Sequence, residues 1–402
     1  MHDDTADHDD TADHDDTADH DANADRADDR DRLGVVRGLL PDDDLRELAV
    51  VKAGERSTVR RIEAVAGDRS RRTLVVKEYH GESEGWLRES AALACVPGAV
   101  RVPEVIAAST DPRLLVMEDL GEGPSVADAL LGDDPDAASE AVLGWAEALA
   151  ELHVATRGSR DDFRAALRER ADDAGVDAVE SWLPARIREA ERVLDRDCGA
   201  LGVTIPSGAL GELTGLTERL GGDALAALTP ADACPSNNVA VGSRCVLVDF
   251  EGAQWRHVAW DVAYLLVPWP TCPAAWRLPD DVARRGYERY RTVAADAFGI
   301  APTADTDDAF GHDVEAAVVG WSLVAASWTL DHALGSEVEI DQQLDPHQAM
   351  PTRRALIMSR LRRAAGSPEL PALAELADGL WAALQQRWGD VPLDVAPAFR
   401  PR

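Results

Sequence analysis

Asp232-Ala233-Cys234-Pro235-Ser236-Asn237-Asn238-Val239-Ala240-Val241-Gly242-Ser243-Arg244-Cys245-Val246-Leu247-Val248-Asp249-Phe250 is the stretch on which the fold turns. Its two apolar runs, 238–241 and 244–250, flank Gly242-Ser243, a two-residue loop suited to a type II′ hairpin. Pairing Val241 with Arg244 puts Asn237 opposite Val248 and beside Asp249. An amide and a carboxylate then meet at one end of the hairpin, with Asp232 in the loop leading in. Oxygen ligands of this kind suit Mg²⁺, a hard cation that keeps waters and takes phosphates. Asn and Asp also serve as ordinary turn formers, and the pattern alone leaves both readings open.

Upstream, the chain from Leu48 to Leu120 has the pattern of strands with one helix. Val59–Ala66 and Thr73–Tyr79 are β-type runs joined by Gly67-Asp68-Arg69-Ser70, a hairpin. Trp86, Glu89, Leu93 and Val96 recur at helical spacing until Pro97-Gly98 stops them. Val102–Ala108 and Arg113–Met117 form a second strand pair around Asp111-Pro112. Only two of the 41 basic residues are lysines, Lys52 and Lys77, so a lysine in the apolar run Leu74-Val75-Val76-Lys77 asks for a chemical reason. Glu89 lies on the apolar face of its helix, where a lone carboxylate is costly and a cation is expected nearby. Lys77 is the cation that fits; the alternative is a glutamate that reaches solvent.

Beyond Gly121 the pattern becomes helical. Asp134-Pro135 forms an N-cap and first-turn pair, and Val142, Trp145, Leu149 and Leu152 make one apolar stripe that Gly158 ends. Further helices are expected over 162–172, 176–195, 279–298, 312–332, 351–365 and 370–388. The arginines at 353, 354, 360, 362 and 363 read as a solvated helix face. His153 reads as a packed core histidine, and Trp269, Trp276, Trp321 and Trp328 as core, one or two of them available to an acceptor pocket.

Acidic side chains outnumber basic ones 74 to 41, a net charge of -33, which argues against nucleic-acid and anionic-membrane partners. Residues 2–19 are three copies of His-Asp-Asp-Thr-Ala-Asp, and the like charges of 1–32 predict a disordered acidic tail. Five cysteines, an odd number without a C-x-x-C pair, read as the reduced thiols of a cytoplasmic protein. The N-terminus lacks the basic and apolar regions of a signal peptide. The apolar stretch Ala316 to Trp328 is shorter than the ~20 residues a bilayer span needs.

Asp232 to Asn237 followed by Val246 to Glu251 resembles the catalytic loop and metal-binding segment of the aminoglycoside phosphotransferase / choline kinase-like family. Other segments follow in matching order over roughly residues 45–330. Lys77 resembles the phosphate-binding strand lysine and Glu89 its helix partner. Leu114 to Gly121 resembles the interlobe hinge, and Ala148 to His153 the helix before the catalytic segment. The resemblance implies an α+β, protein-kinase-like bilobal fold with a small β-rich N-lobe and a larger α-helical C-lobe. The expected divisions are a tail at 1–32, an N-lobe at 33–120 and a C-lobe at 121–402 holding the catalytic hairpin 232–250. It further implies ATP and Mg²⁺ as cofactors, with Asp232 as the base and Asn237 and Asp249 as metal ligands. Lys77 and Ser57 would meet the nucleotide phosphates, and backbone groups near Glu118 and Leu120 the adenine. The partner would be a small-molecule hydroxyl acceptor.

The chain departs from the family in two places. Pro230-Ala231 stand where the family has His-Gly before its catalytic Asp, and that His is assigned to shaping the loop rather than to the base. The phosphate loop, Ala53 to Thr58, has one Gly instead of several. Asp261 resembles a family Asp that braces the catalytic loop. Gly121-Glu122-Gly123 lacks the third Gly of a dinucleotide loop and reads as a hinge turn. The expected function is transfer of the γ-phosphate of ATP to a hydroxyl of an aminoglycoside-, amino alcohol- or sugar-like molecule. The alternative is a catalytically impaired kinase-like protein that binds nucleotide or ligand.

Overall fold

The structure is a computed structural model and describes residues 33–81, 84–272, 275–304, 307–335 and 350–401. The acidic repeat tail lies outside the described residues. By internal contacts the chain divides into two units, one of residues up to Gly81 plus Val105–Asp119, the other of Glu82–Glu104 plus Leu120–Arg402.

The first unit begins with a helix at 33–39 (α1) and continues as five antiparallel strands. These are β1 (Asp44–Ala53), β2 (Ser57–Val65), β3 (Arg71–Tyr79), β4 (Val105–Thr110) and β5 (Arg113–Glu118), in spatial order β1-β2-β3-β5-β4. The predicted hairpin at 67–70 joins β2 to β3, with the Ser70 amide donating to Asp68 Oδ1 at 2.8 Å. Strand alternation sorts the side chains into two faces. Ile62, Ala64, Leu74, Val76, Leu114 and Val116 share one face and close with Val36 of α1 into a core. Val59, Lys77 and Leu115 are cross-strand partners on the other face.

The helical unit contains α2 (Gly85–Cys95), α3 (Val126–Leu131), α4 (Pro135–Thr156), α5 (Arg160–Arg170), α6 (Asp173–Leu201) and α7 (Ala209–Arg219). After the hairpin segment 232–250 follow α8 (Ala259–Val262), α9 (Asp280–Phe298), α10 (Ala309–Gly335), α11 (Arg353–Ala365) and α12 (Pro371–Trp388). Two short ladders lie among them. One pairs β6 (Ala226–Thr229) with β9 (Gln254–His257); the other pairs β7 (Asn238–Val241) with β8 (Arg244–Leu247). The α4 stripe of Val142, Trp145, Leu149 and Leu152 is fully buried, and the Asp134 side chain caps the helix by accepting from Asp136 and Ala137 amides. α2 belongs to this unit because Arg88, 4% exposed, donates to the carbonyls of Val179 and Ala253 and pairs with Glu84 at 2.6 Å.

Arg360 corrects the reading of the late arginines as a solvated face. It is 3% exposed and spends its guanidinium on the backbone carbonyls of Pro268, Trp269 and Pro270. Arg363 pairs with Glu315 at 2.5 Å, and Arg354 and Arg362 lie over the Trp388 and Trp381 rings. An arginine whose partners are carbonyls some ninety residues away carries no mark of burial in its own helix.

Gly123 is fixed by close approach. A Cβ there would lie 1.8 Å from the Ala240 carbonyl oxygen, and the Ala240 amide donates to Pro124 O at 3.0 Å. Gly123→Ala is expected to destabilise the chain by at least ~2 kcal/mol, since backbone on both sides must move. Urea unfolding with an unchanged midpoint would contradict this packing.

Candidate active site

The hairpin forms in the register the sequence predicts. Val241 pairs with Arg244 and Asn238 with Leu247, and the Val248 amide donates to Asn237 O at 3.0 Å. Gly242 takes φ 61°, as the turn requires. Asn237 and Asp249 are therefore held at the open end of β7 and β8. The Asn237 Nδ2 donates to the backbone carbonyl of Asp232 at 3.0 Å, which closes the loop 232–237 on itself. That bond uses the amide's nitrogen, and its oxygen accepts from the Ser236 hydroxyl at 3.4 Å. Asn238 ties the same loop to α3: its Nδ2 donates to Pro235 O at 2.8 Å and its Oδ1 accepts from the Val126 amide at 2.9 Å.

The backbone on each side of the hairpin is strained. Ala231 (φ 59°) and Asp249 (φ 65°) are left-handed without being glycine, a conformation that costs about 1–2 kcal/mol per residue. Their neighbours hold them there. Gly252 lets the backbone of 230–232 close in, since a Cβ at Gly252 would lie 3.0 Å from Pro230 O. Beneath the loop, the Thr229 hydroxyl donates to Gln254 O at 3.1 Å and accepts from Arg256 Nε at 3.1 Å. Arg256 also donates to Asp261, whose other oxygen faces His153 Nε2 at 3.3 Å, while His153 Nδ1 meets the Tyr290 hydroxyl at 2.8 Å. His153 and Asp261 are both fully buried. Burial opposes the charge on Asp261, but the adjacent Arg256 guanidinium and then His153 outweigh it and hold the carboxyl below the usual range. Asp261 thus braces the loop through Arg256 and Thr229.

Asp232 has a second attachment. The Thr271 hydroxyl donates to Asp232 Oδ1, and the Tyr264 hydroxyl lies 2.8 Å from Thr271 Oγ1. Burial, reinforced by the charge of Asp232, pushes the Tyr264 hydroxyl well above its ordinary pKa. Burial also lowers Arg360 to about 10, still cationic at neutral pH, so it keeps its grip on the carbonyls of 268–270. The sequence reading named neither Thr271 nor Arg256. Nothing marks Thr271 in Trp269-Pro270-Thr271, because its partner is distant in sequence.

A cavity of about 670 Å³ in the helical unit is lined by Trp269, Trp276 and Trp381, with Leu265 and Met358. Its lining includes none of Asp232, Asn237 and Asp249. It adjoins their surroundings through the segment 264–271, which supplies Trp269 to the cavity and Thr271 to Asp232.

The other predicted residues divide between the units. Lys77 is buried on β3, its ammonium 5.1 Å from the Tyr79 ring centroid. Ser57, buried at the start of β2, pairs with Tyr79 and so shares the Lys77 face. The loop before it is a tight turn closed by the Gly54 amide on Ser57 O at 3.0 Å. Glu118 pairs with Leu74 and lies on the opposite face, and Leu120 begins the return to the helical unit. Glu89 is buried in α2 at 2% exposure.

Among the described residues no cluster of three or more His, Cys, Asp or Glu side chains is placed to hold a metal. Asn237 and Asp249 form a sparser set, one amide and one carboxylate oxygen donor at the end of one hairpin. This fits Mg²⁺, which is bound through one or two carboxylates and completes its shell with water and phosphate. The described residues contain no helix long and apolar enough to cross a membrane.

No family model matches the chain, and no curated protein matches it. It is similar to solved structures of small-molecule phosphotransferases. One is a choline/ethanolamine kinase family protein from Mesorhizobium loti, at 18% identity over 84% of this chain and 92% of that one, TM-score 0.46. Another is a choline kinase from Cryptosporidium parvum, at 13% identity over 87% and 93%, TM-score 0.47. A third is an aminoglycoside phosphotransferase in a ternary complex with ADP and hygromycin B, at 16% identity over 84% and 94%, TM-score 0.40.

Proposed function

We propose that this chain is an ATP-dependent phosphotransferase that moves the γ-phosphate of ATP to a hydroxyl of a small molecule. One observation carries the reading. A hairpin in a fixed register holds an amide and a carboxylate at its open end, and the amide clasps the backbone of Asp232.

In phosphoryl transfer the protein mainly positions groups and stabilises charge. Asp232 orients the acceptor hydroxyl and takes its proton as the new oxygen–phosphorus bond forms, while the bond from the γ-phosphorus to the bridging oxygen breaks and ADP leaves. Asn237 and Asp249 would hold Mg²⁺, which when bound neutralises charge on the phosphates. Lys77 and Ser57 bind phosphate oxygens, and backbone groups near Glu118 and Leu120 meet the base. The Thr229–Arg256–Asp261 chain supports this over the impaired-binder reading, because it braces the loop in which Pro230 replaces the usual His.

The test is an ATP-consumption screen over hydroxyl-bearing metabolites and antibiotics, with Asp232→Asn as control. A wild type that binds Mg·ATP but turns over no acceptor above that control would refute transfer. Asp249→Ala is expected to weaken Mg²⁺-dependent ATP binding by at least ~10-fold with the fold intact. Unchanged affinity in a calorimetric titration would remove the metal assignment.

A further inference from the structure

We propose that Thr271 and Tyr264 are positioning residues for Asp232, which fix its carboxylate through Oδ1. This rests on Asp232 being the base of the reading above.

The direction of the chain follows from donor counting. A hydroxyl has one proton, and a carboxylate only accepts. Thr271 gives its proton to Asp232, so its oxygen accepts from Tyr264. Tyr264 is fully buried, set edge-on to Trp321 at 5.9 Å, and burial keeps its hydroxyl protonated as the chain requires.

The chain is anchored at both ends. Tyr264 sits in the single turn of helix at Ala263–Leu265 that follows α8. The approach to Thr271 is held by Arg360, which takes the carbonyls of Pro268, Trp269 and Pro270 in one guanidinium. An aspartate's terminal torsion is otherwise broad, and a base must be aligned with its proton to act. A threonine fixed from both sides supplies that alignment.

The test is steady-state hydrolysis of Mg·ATP with water as acceptor. Thr271→Val is expected to lower kcat ~10-fold and to leave KM for Mg·ATP within about twofold, because orientation is lost and nucleotide binding is not. Thr271→Ser restores the hydroxyl and recovers most of kcat. A valine variant with wild-type kcat, or a serine variant no better than valine, overturns the proposal. If the valine variant does not fold, Tyr264→Phe takes its place. It keeps the Thr271 bond and removes the group behind it, and kcat is expected to fall about threefold; an unchanged kcat overturns the chain. A wild type that hydrolyses no ATP shows that water is excluded as an acceptor, and the readout moves to the hydrogen-bond chain itself. Carbon-13 NMR of the tyrosine Cζ atoms then decides the inference, since a hydrogen-bonded, buried Tyr264 hydroxyl exchanges slowly with solvent. Slow exchange that Thr271→Val accelerates and Thr271→Ser preserves is the expected result; fast exchange in the wild type overturns it.

Discussion

Replacing Asp232 with asparagine is expected to lower acceptor turnover by at least ~10²-fold, the lower end for a positioned general base. Affinity for Mg·ATP should change little. The two effects separate because of what each atom does. The backbone carbonyl of Asp232, not its side chain, receives the Asn237 amide at 3.0 Å, so the clasp on the metal-ligand loop survives the substitution. Asparagine also keeps an oxygen that can accept from the Thr271 hydroxyl. What disappears is the negative charge and with it the capacity to take a proton. Single-turnover kinetics alongside nucleotide titration check this directly. Equal losses in binding and in turnover would place Asp232 in a structural role.

Arg256→Met is expected to cost ~3–5 kcal/mol, the scale for stripping one partner from a buried ion pair, and to lower Tm by roughly 10 °C. Asp261 is fully buried, so a lost guanidinium leaves a carboxylate facing His153 in the interior. The Thr229 hydroxyl loses its donor in the same step, which loosens the strand that enters the loop 230–237. The pH dependence has a definite sign. The folded-state pKa of Asp261 is lowered, so its stabilisation is fully present above its ordinary value of 3.8 and is lost as pH falls through the lower folded value. The gap between wild type and Arg256→Met should therefore be full at neutral pH and narrow below about pH 4. A double replacement, Arg256→Met with Asp261→Leu, should recover part of the loss, because no buried charge is then left alone. Thermal melts across pH 3–8 that show a constant gap would contradict the assignment.

How far the sequence could be read depended on how local the deciding interactions are. The β7–β8 register was legible to the residue because a two-residue loop leaves one pairing, and Asn237, Asp249 and the Asp232 loop followed from it. The α4 stripe and its Asp134 cap were equally local. β6 and β9 were missed: each has four residues, and they pair across the whole segment 230–253. α3 and α7 were missed as well, at 6 and 11 residues against 22 and 29 for α4 and α6. α2 was recognised as a helix, but amphipathicity does not name the surface a helix packs on. Arg88, through carbonyls at 179 and 253, decides that. Thr271 and Arg360 were invisible for the same reason, since a hydroxyl and a guanidinium show their partners only once the chain is folded.

The grip of Arg360 on the 268–270 carbonyls bears on the order in which the protein is made. The two ends of that contact lie up to 92 residues apart, and the anchor is the later one. A nascent chain emerging from the ribosome presents Asp232, its hairpin and Thr271 well before α11 exists to secure the segment behind them. Every residue assigned to the chemistry is thus synthesised before the arginine that settles their support. A chain released early, at a stop between Thr271 and Arg360, would carry a complete set of functional groups on a loop without its tether.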